Sequence, residues 1–181
     1  MIHAVLQTER LRLTRITAGD LSKINGLHKE PLVARYNTIG IPRSIDQTFK
    51  VINGVLDQLS SEQPDKYGWI IETLESEFIG EIGLKLAAFR FKKGEIHFSL
   101  LPSCWGQGYA FEAAKTIIDF GFKTLNLRRI EAGVAVDNYK SIALIERLGM
   151  KREGHHREIL PLSQGWTDNY SYAVLKSDLD A

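Results

Sequence analysis

Apolar residues recur along the chain with two periods, and the switches between them mark out the elements. Leu11, Leu13 and Ile16 alternate with Arg10, Arg12 and Thr14, which predicts a first strand over about 9–16. Thr17 is placed to cap a helix over 18–29, whose Leu21, Ile24, Leu27 and His28 fall at helical spacing. Residues 31–42, bounded by two prolines, read as loop. Ser44 opens a second helix with Ile45, Phe49, Ile52, Val55, Leu56 and Leu59 as its apolar face, and the polar run 60–66 ends it. Three strands follow at 67–74, 78–89 and 95–101, joined at Glu75-Ser76-Glu77 and at Lys92-Lys93-Gly94. In the third, Ile96, Phe98 and Leu100 alternate with Glu95, His97 and Ser99, and Pro102 stops the ladder.

The next stretch organises the rest. Trp105-Gly106-Gln107-Gly108-Tyr109-Ala110 is a glycine-bearing turn. A helix leaves it at once, with Ala110, Ala113, Ala114, Ile117, Ile118, Gly121 and Phe122 on one stripe. Residues 129–136 are β-branched and apolar, a buried strand broken by Asn138. Ser141–Leu148 reads as a short helix stopped by Gly149. Lys151–Leu160 and Trp166–Leu175 read as a last pair of strands across 161–165. With no repeat, low-complexity run or linker, the pattern predicts one mixed α/β domain over 1–181.

A strand, a glycine turn and a helix together form a device for holding an anion. The first amides of a helix have no partner inside it, and the macrodipole makes that end partly positive. Glycines at 106 and 108 let the backbone approach a ligand closely, so a phosphate fits. A plain strand-to-helix turn would use the same residues. Two common phosphate loops are excluded. A P-loop needs Gly-Lys-Ser/Thr, but Gly108 is followed by Tyr109-Ala110. A dinucleotide fingerprint needs a small residue where Phe111 stands and a parallel βαβ context, whereas this strand follows an antiparallel meander.

Composition changes the picture little. The chain has 181 residues, 44% apolar and 25% charged, the mix of an ordinary globular protein. A net charge of +1 points to neither nucleic acid nor a membrane surface as partner. The single Cys104 forbids an internal disulfide and suits a reducing cytoplasm. The start lacks the pattern of a signal peptide, and no apolar run approaches the ~18 residues of a span. His155-His156 does not suggest a metal site, because neighbouring strand residues point opposite ways and nothing completes a ligand set.

Trp105-Gly-Gln-Gly108-Tyr-Ala110 resembles the Gln/Arg-x-x-Gly-x-Gly/Ala motif of the GNAT superfamily of acetyl-CoA-dependent N-acetyltransferases, with Trp105 departing at the first position. Trp-Gly-x-Gly-Tyr-Ala-x-Glu-Ala is similar to the branch of ribosomal-protein N-terminal acetyltransferases. So is the second block, Asn138-x-x-Ser141 through Glu146-x-x-Gly149 to Glu153-Gly154, and more weakly the opening Thr8-Glu-Arg-Leu-Arg-Leu13. The resemblance implies the GNAT fold: a central mixed, mostly antiparallel sheet of six to seven strands flanked by about four helices, in the order β-αα-βββ-α-β-α-ββ.

It also implies acetyl-CoA as cosubstrate, no metal, and direct transfer of the acetyl group to an amine acceptor. On that resemblance the cosubstrate is held by Phe98, Ser99 and Leu100 on the strand, by Trp105, Gly106, Gln107, Gly108, Tyr109 and Ala110 on the loop, and by Asn138 and Ser141. Direct transfer leaves Cys104 as a packed residue rather than a nucleophile. Glu95 is a base candidate, with His97 ranked behind it and Glu158 a further candidate; Glu95 is equally a charged strand start. Ser141 is the acid candidate, since the position of the tyrosine used by many relatives is Ile145; it could equally cap its helix. Lys92-Lys93 and Arg128-Arg129 read as solvated turn charges, with contact to an adenosine phosphate as the alternative. The expected acceptor is a peptide or protein N-terminal α-amine. Small amines (polyamines, amino acids, antibiotics) and a non-catalytic CoA-binding module are the alternatives. The expected protein is a cytoplasmic monomer or homodimer.

Overall fold

In the computed structural model, which describes residues 5–179, eight strands form one sheet. In chain order the elements are β1 (Leu6–Gln7), β2 (Leu11–Arg15), α1 (Leu21–Lys29), α2 (Pro31–Ala34), α3 (Ile45–Leu56), β3 (Lys66–Thr73), β4 (Phe78–Leu86), β5 (Lys93–Leu100), α4 (Tyr109–Lys123), β6 (Arg129–Ala135), α5 (Tyr139–Arg147), β7 (Lys151–Leu162), β8 (Gly165–Leu175) and α6 (Lys176–Leu179). The strand order is β1-β2-β3-β4-β5-β6-β8-β7, and every neighbour is antiparallel except β5 and β6. The sheet is therefore mixed and mostly antiparallel, with eight strands where six to seven were expected and six helices where four were.

Alternation sorts the side chains to two faces. Leu11 and Leu13, Tyr67, Trp69 and Ile71, Ile82 and Leu84, Ile96 and Leu100, and Ile130 and Val134 face α4 and α5 in the larger core. The predicted stripe of α4 lies there, with Ala113, Ala114, Ile117 and Ile118 all buried. On the opposite face Ile16, Ile24, Ile52 and Ile70 form a smaller core under α1 and α3. That core covers mainly the β2–β4 side: among the described residues α1 packs on β4 and α3 on β3, which leaves β5, β6 and β8 largely open on this face.

Several expectations shift. The loop predicted at 31–42 begins with a helical turn, because Pro31 occupies its first position, where a missing N–H costs nothing. On α3, Ile45 and Phe49 are exposed, while Thr48 is buried and donates to Asn25 Oδ1 at 3.0 Å. The β4–β5 joint is longer than Lys92-Lys93-Gly94. A helical turn at Phe89–Phe91 and Lys92 at φ +47° carry it, so β5 already runs at Lys93 and Glu95 does not start the strand. Helix α5 begins at Tyr139, and its cap is Asn138 rather than Ser141.

One irregularity matters most. β5 and β6 pair only at Lys93–Arg129, Gly94–Ile130 and Glu95–Glu131. Beyond them β5 continues against β4 to Leu100, and β6 continues against β8 to Ala135, but the two no longer meet. The vertex is fastened by charge. Glu131 accepts from Lys93 Nζ at 2.9 Å and from Arg129 Nε at 2.7 Å, and Arg129 also holds Glu153 of β7. The sheet is thus closed at one end and splayed at the other.

Candidate active site

The glycine loop lies at the open end of the splay. Gly106 and Gly108 take φ +76° and +84°, left-handed values that favour glycine, and Gly108 is the N-cap of α4. The first helical bond is Glu112 N–H to Gly108 O at 3.1 Å. The amides of Gly106, Gln107, Gly108, Tyr109, Ala110 and Phe111 have no acceptor among the described residues. Six free N–H groups in succession at the positive end of a 15-residue helix are a seat for an anionic group. Open space lies over the Gly106 Cα, where a Cβ would meet nothing within 4 Å.

Side chains hold the loop in shape. Trp105, at the position where the motif departs, donates its indole N–H to Leu100 O at 2.8 Å, tying the loop back to β5. Gln107 donates from its side chain to Ser103 O at 2.9 Å, so the role of this residue in shaping the loop is plain. Arg10 was missed by sequence reasoning. Its Nη1 donates to Gln107 O at 3.0 Å, its Nε to Glu112 Oε2 at 2.8 Å, and its guanidinium lies 4.7 Å over the Tyr109 ring. The hydroxyl of Thr8 also donates to Glu112. Burial alone would raise the Glu112 pKa, but the bonds from Thr8 and Arg10 outweigh it and hold the group below its usual value. The charge of Glu112 at the helix start is thereby neutralised. Its only sequence signal was the opening Thr8–Leu13 run, 102 residues before the residue it serves.

The other predicted residues line the same opening. Phe98, Ser99 and Leu100 are on the part of β5 that β6 has left. Asn138 follows β6 and accepts from Ser141 N–H through Oδ1 at 3.3 Å, which leaves its amide nitrogen free to donate. Ser141 is half-buried in the first turn of α5, and Ile145 is turned into the core. Lys140 reaches across from α5 to lie 4.8 Å over the Trp105 ring. Cys104 packs at the edge of the larger core. Tyr36, just past α2, donates to Asp137 O at 3.0 Å and so bridges the uncovered face.

The carboxylates do not come together. Glu95 stands at the vertex beside Glu131. Glu158 is in a bulge of β7 at φ +47°, with its N–H donating to Asp168 Oδ1 at 2.8 Å, beside the far end of β6. From Glu131 to Val136 the strand runs roughly 16 Å, so the two bracket the splay instead of facing each other. His155 Nε2 bonds Asp168 and His156 Nε2 bonds Ser171 Oγ, with different partners for the two rings. Lys93 and Arg129 are tied to Glu131 at the vertex, away from the loop, which removes them as free phosphate ligands.

Comparison with known proteins identifies the family and the fold. A family model described as an acetyltransferase (GNAT) domain matches residues 10–151. The uncharacterised N-acetyltransferase p20 of Bacillus licheniformis is 31% identical over 173 residues, covering 96% of this chain and 97% of its own. The spermidine N(1)-acetyltransferase of Vibrio cholerae is 24% identical, covering 93% and 94%. A GNAT acetyltransferase structure from Bacillus anthracis superposes with a TM-score of 0.81 at 25% identity, over 95% of this chain and 98% of that one. The Vibrio cholerae spermidine N-acetyltransferase in complex with CoA and spermine superposes with a TM-score of 0.84 at 24% identity, over 96% and 100%. The chain belongs to the GNAT family of N-acetyltransferases and is an acyltransferase.

Proposed function

We propose that this chain transfers the acetyl group of acetyl-CoA to the α-amine of a peptide or protein N-terminus. The observation that carries the cosubstrate half is the run of free amides from Gly106 to Phe111. They hold the pyrophosphate. The open edge of β5 at Phe98–Leu100 and the free amide nitrogen of Asn138 take the extended arm between the parted strands. Acetyl-CoA supplies an activated acetyl carbon. Ser141, at the start of α5, donates a proton to the departing sulfur. Ser141→Ala lowers kcat with little change in cosubstrate affinity, the mark of an interaction made in the transition state.

The acceptor approaches from the face that α1 and α3 leave uncovered. Along this face Glu81 is paired with His28 and Glu131 with Lys93 and Arg129, while Glu95 is exposed and has no ion pair among the described residues. A polycation finds few free negative charges there. The segment that crosses this face exposes Leu32, Ile39 and Ile41, with Ile45 and Phe49 beyond, an apolar wall suited to a peptide side chain. Support also comes from a putative ribosomal N-acetyltransferase of Bacillus subtilis, 32% identical over 48% of this chain. The second reading is a polyamine acceptor, favoured by the spermidine acetyltransferase relative. Free-thiol release with short N-terminally free peptides against spermidine decides between them. Preference for spermidine by tenfold or more in kcat/KM defeats the peptide reading, and no thiol release with any amine defeats both.

A further inference from the structure

His97 is on β5 between Glu95 and Ser99, on the face turned away from α4. It is the first residue of that face beyond the point where β5 and β6 part. Across the ladder from it stands Gly83. A Cβ at that glycine would lie 2.3 Å from both Cε1 and Nε2 of His97, so the imidazole occupies the space that the missing side chain leaves. Two residues before Gly83 on β4, Glu81 accepts from Nε2 of the buried His28 of α1 at 2.6 Å. The charged and titratable groups facing the ring are Glu81 and Lys85 from β4, Glu95 from its own strand, and His28 from α1. His97 is exposed to solvent at the splay, with its ring packed over Gly83.

Resting on the acetyltransferase reading, we propose that His97 is the base that takes the proton from the acceptor ammonium. The ammonium gives one proton to the imidazole and becomes a free amine. The amine lone pair forms the new C–N bond at the thioester carbonyl carbon, the C–S bond breaks, and its electron pair stays on sulfur. A second proton lost from nitrogen is balanced by the one the sulfur receives, and the imidazolium returns its proton to water. Ammonium and thioester thus become amide, thiol and one released proton.

Three observations favour His97 over the carboxylates. It lies on the acceptor face at the splay itself, whereas Glu95 is at the closed vertex and Glu158 is on the outer hairpin. Gly83 gives the ring a seat that no other residue there would leave. The protein packed around the ring partly desolvates it, although the residue is exposed, and holds its pKa below the usual imidazole value; Glu81 and Glu95 oppose that shift, while His28 and Lys85 add to it. The ring is therefore neutral and able to accept a proton near pH 7. The same two glutamates face the positive charge that forms when it does.

The test is the pH dependence of kcat/KM for wild type, His97→Asn, His97→Gln and Glu95→Gln, each checked for folding by circular dichroism. Two acceptors are used, a peptide α-amine with pKa ~8 and an alkylamine with pKa ~10. Wild type loses rate only below about pH 6.5 with both amines. Without His97 the reaction must wait for amine already deprotonated in solution. The acidic limb then moves up to each amine's own pKa, the rate at pH 7 falls about tenfold for the α-amine and about a thousandfold for the alkylamine, and the profiles converge at high pH. Glu95→Gln keeps the limb and moves it slightly to lower pH, because a charge that raises the His97 pKa is removed. A limb unmoved in both His97 variants, or one that rises to the amine's pKa in Glu95→Gln instead, overturns the assignment and leaves the acetyltransferase intact. No thiol release by wild type with any amine overturns both.

Discussion

At the scale of single residues, the loop geometry turns on two glycines. Gly108 sits at φ +84°, and a Cβ there would also come within 3.3 Å of Arg10 Nη2. Gly108→Val therefore strains the backbone, presses on the arginine that braces Gln107, and places a branched side chain where the anion must approach. Acetyl-CoA affinity falls at least tenfold, about 1.4 kcal/mol, by calorimetry. Unchanged affinity in a folded variant would remove the loop from the binding site. These glycines were legible in sequence because left-handed backbone before a helix calls for glycine. Arg10 was not legible, since its partners Gln107 and Glu112 lie about a hundred residues away and only the closed sheet brings them near. Nor was the seat of His97, which depends on Gly83 falling opposite it in the ladder.

At the scale of elements, long periodic stretches were read well and short ones were not. The α4 stripe and the β3–β4–β5 meander have enough repeats for the period to stand out. β1 has two residues, α2 four and α6 four, too few to show any period, and tertiary contacts decide them. The meander also carries a constraint that no period reveals. A Cβ at Gly80 would lie 2.2 Å from Ser99 O and 2.8 Å from Leu100 Cα, both backbone atoms of β5. Neither can swing aside as a side-chain end would. Gly80→Ala thus forces β4 and β5 apart where β5 leads into the glycine loop, at a cost of at least about 2 kcal/mol. Urea denaturation measures that loss. Wild-type stability in the variant would mean that the two strands shift freely there.

At the scale of the whole molecule, paired charges give stability a defined dependence on pH. Burial alone would raise the Glu131 pKa, but hydrogen bonds from Arg129 and Lys93 hold it below the usual 4.5, as those from Thr8 and Arg10 do for Glu112. The bond from Arg129 lowers Glu153 as well. The unfolded chain then takes up protons before the folded one as pH falls. The stabilisation is present above about pH 4.5 and is lost as pH drops through the depressed folded values. His97 has the same sign at higher pH. Its folded pKa lies below the usual 6.5, so the unfolded chain gains a proton first and stability starts to fall below that point. Urea midpoints from pH 7.5 to 4 show a shallow loss below about 6.5 and a steeper one below about 4.5. His97→Asn abolishes the first and spares the second. A wild-type midpoint that stays level down to pH 5 would contradict the lowered pKa of His97.

The splay between β5 and β6 carries a liability as well as a use. Sheets keep their unpaired edges at the margins, where charge, shortness or a covering loop protects them. Here two unpaired edges face each other in the middle, from Ile96 to Leu100 and from Ala132 to Ala135. Any extended chain that presents amides in register can lie between them, including the strand of a partly opened second copy. The apo protein is in this respect primed for self-association, and a bound cosubstrate acts as its own chaperone by filling the gap. Light scattering on heating should therefore set in later with CoA present, by more than the gain in melting temperature alone explains. Equal onset relative to the melting temperature in both states would mean that the gap stays guarded without help.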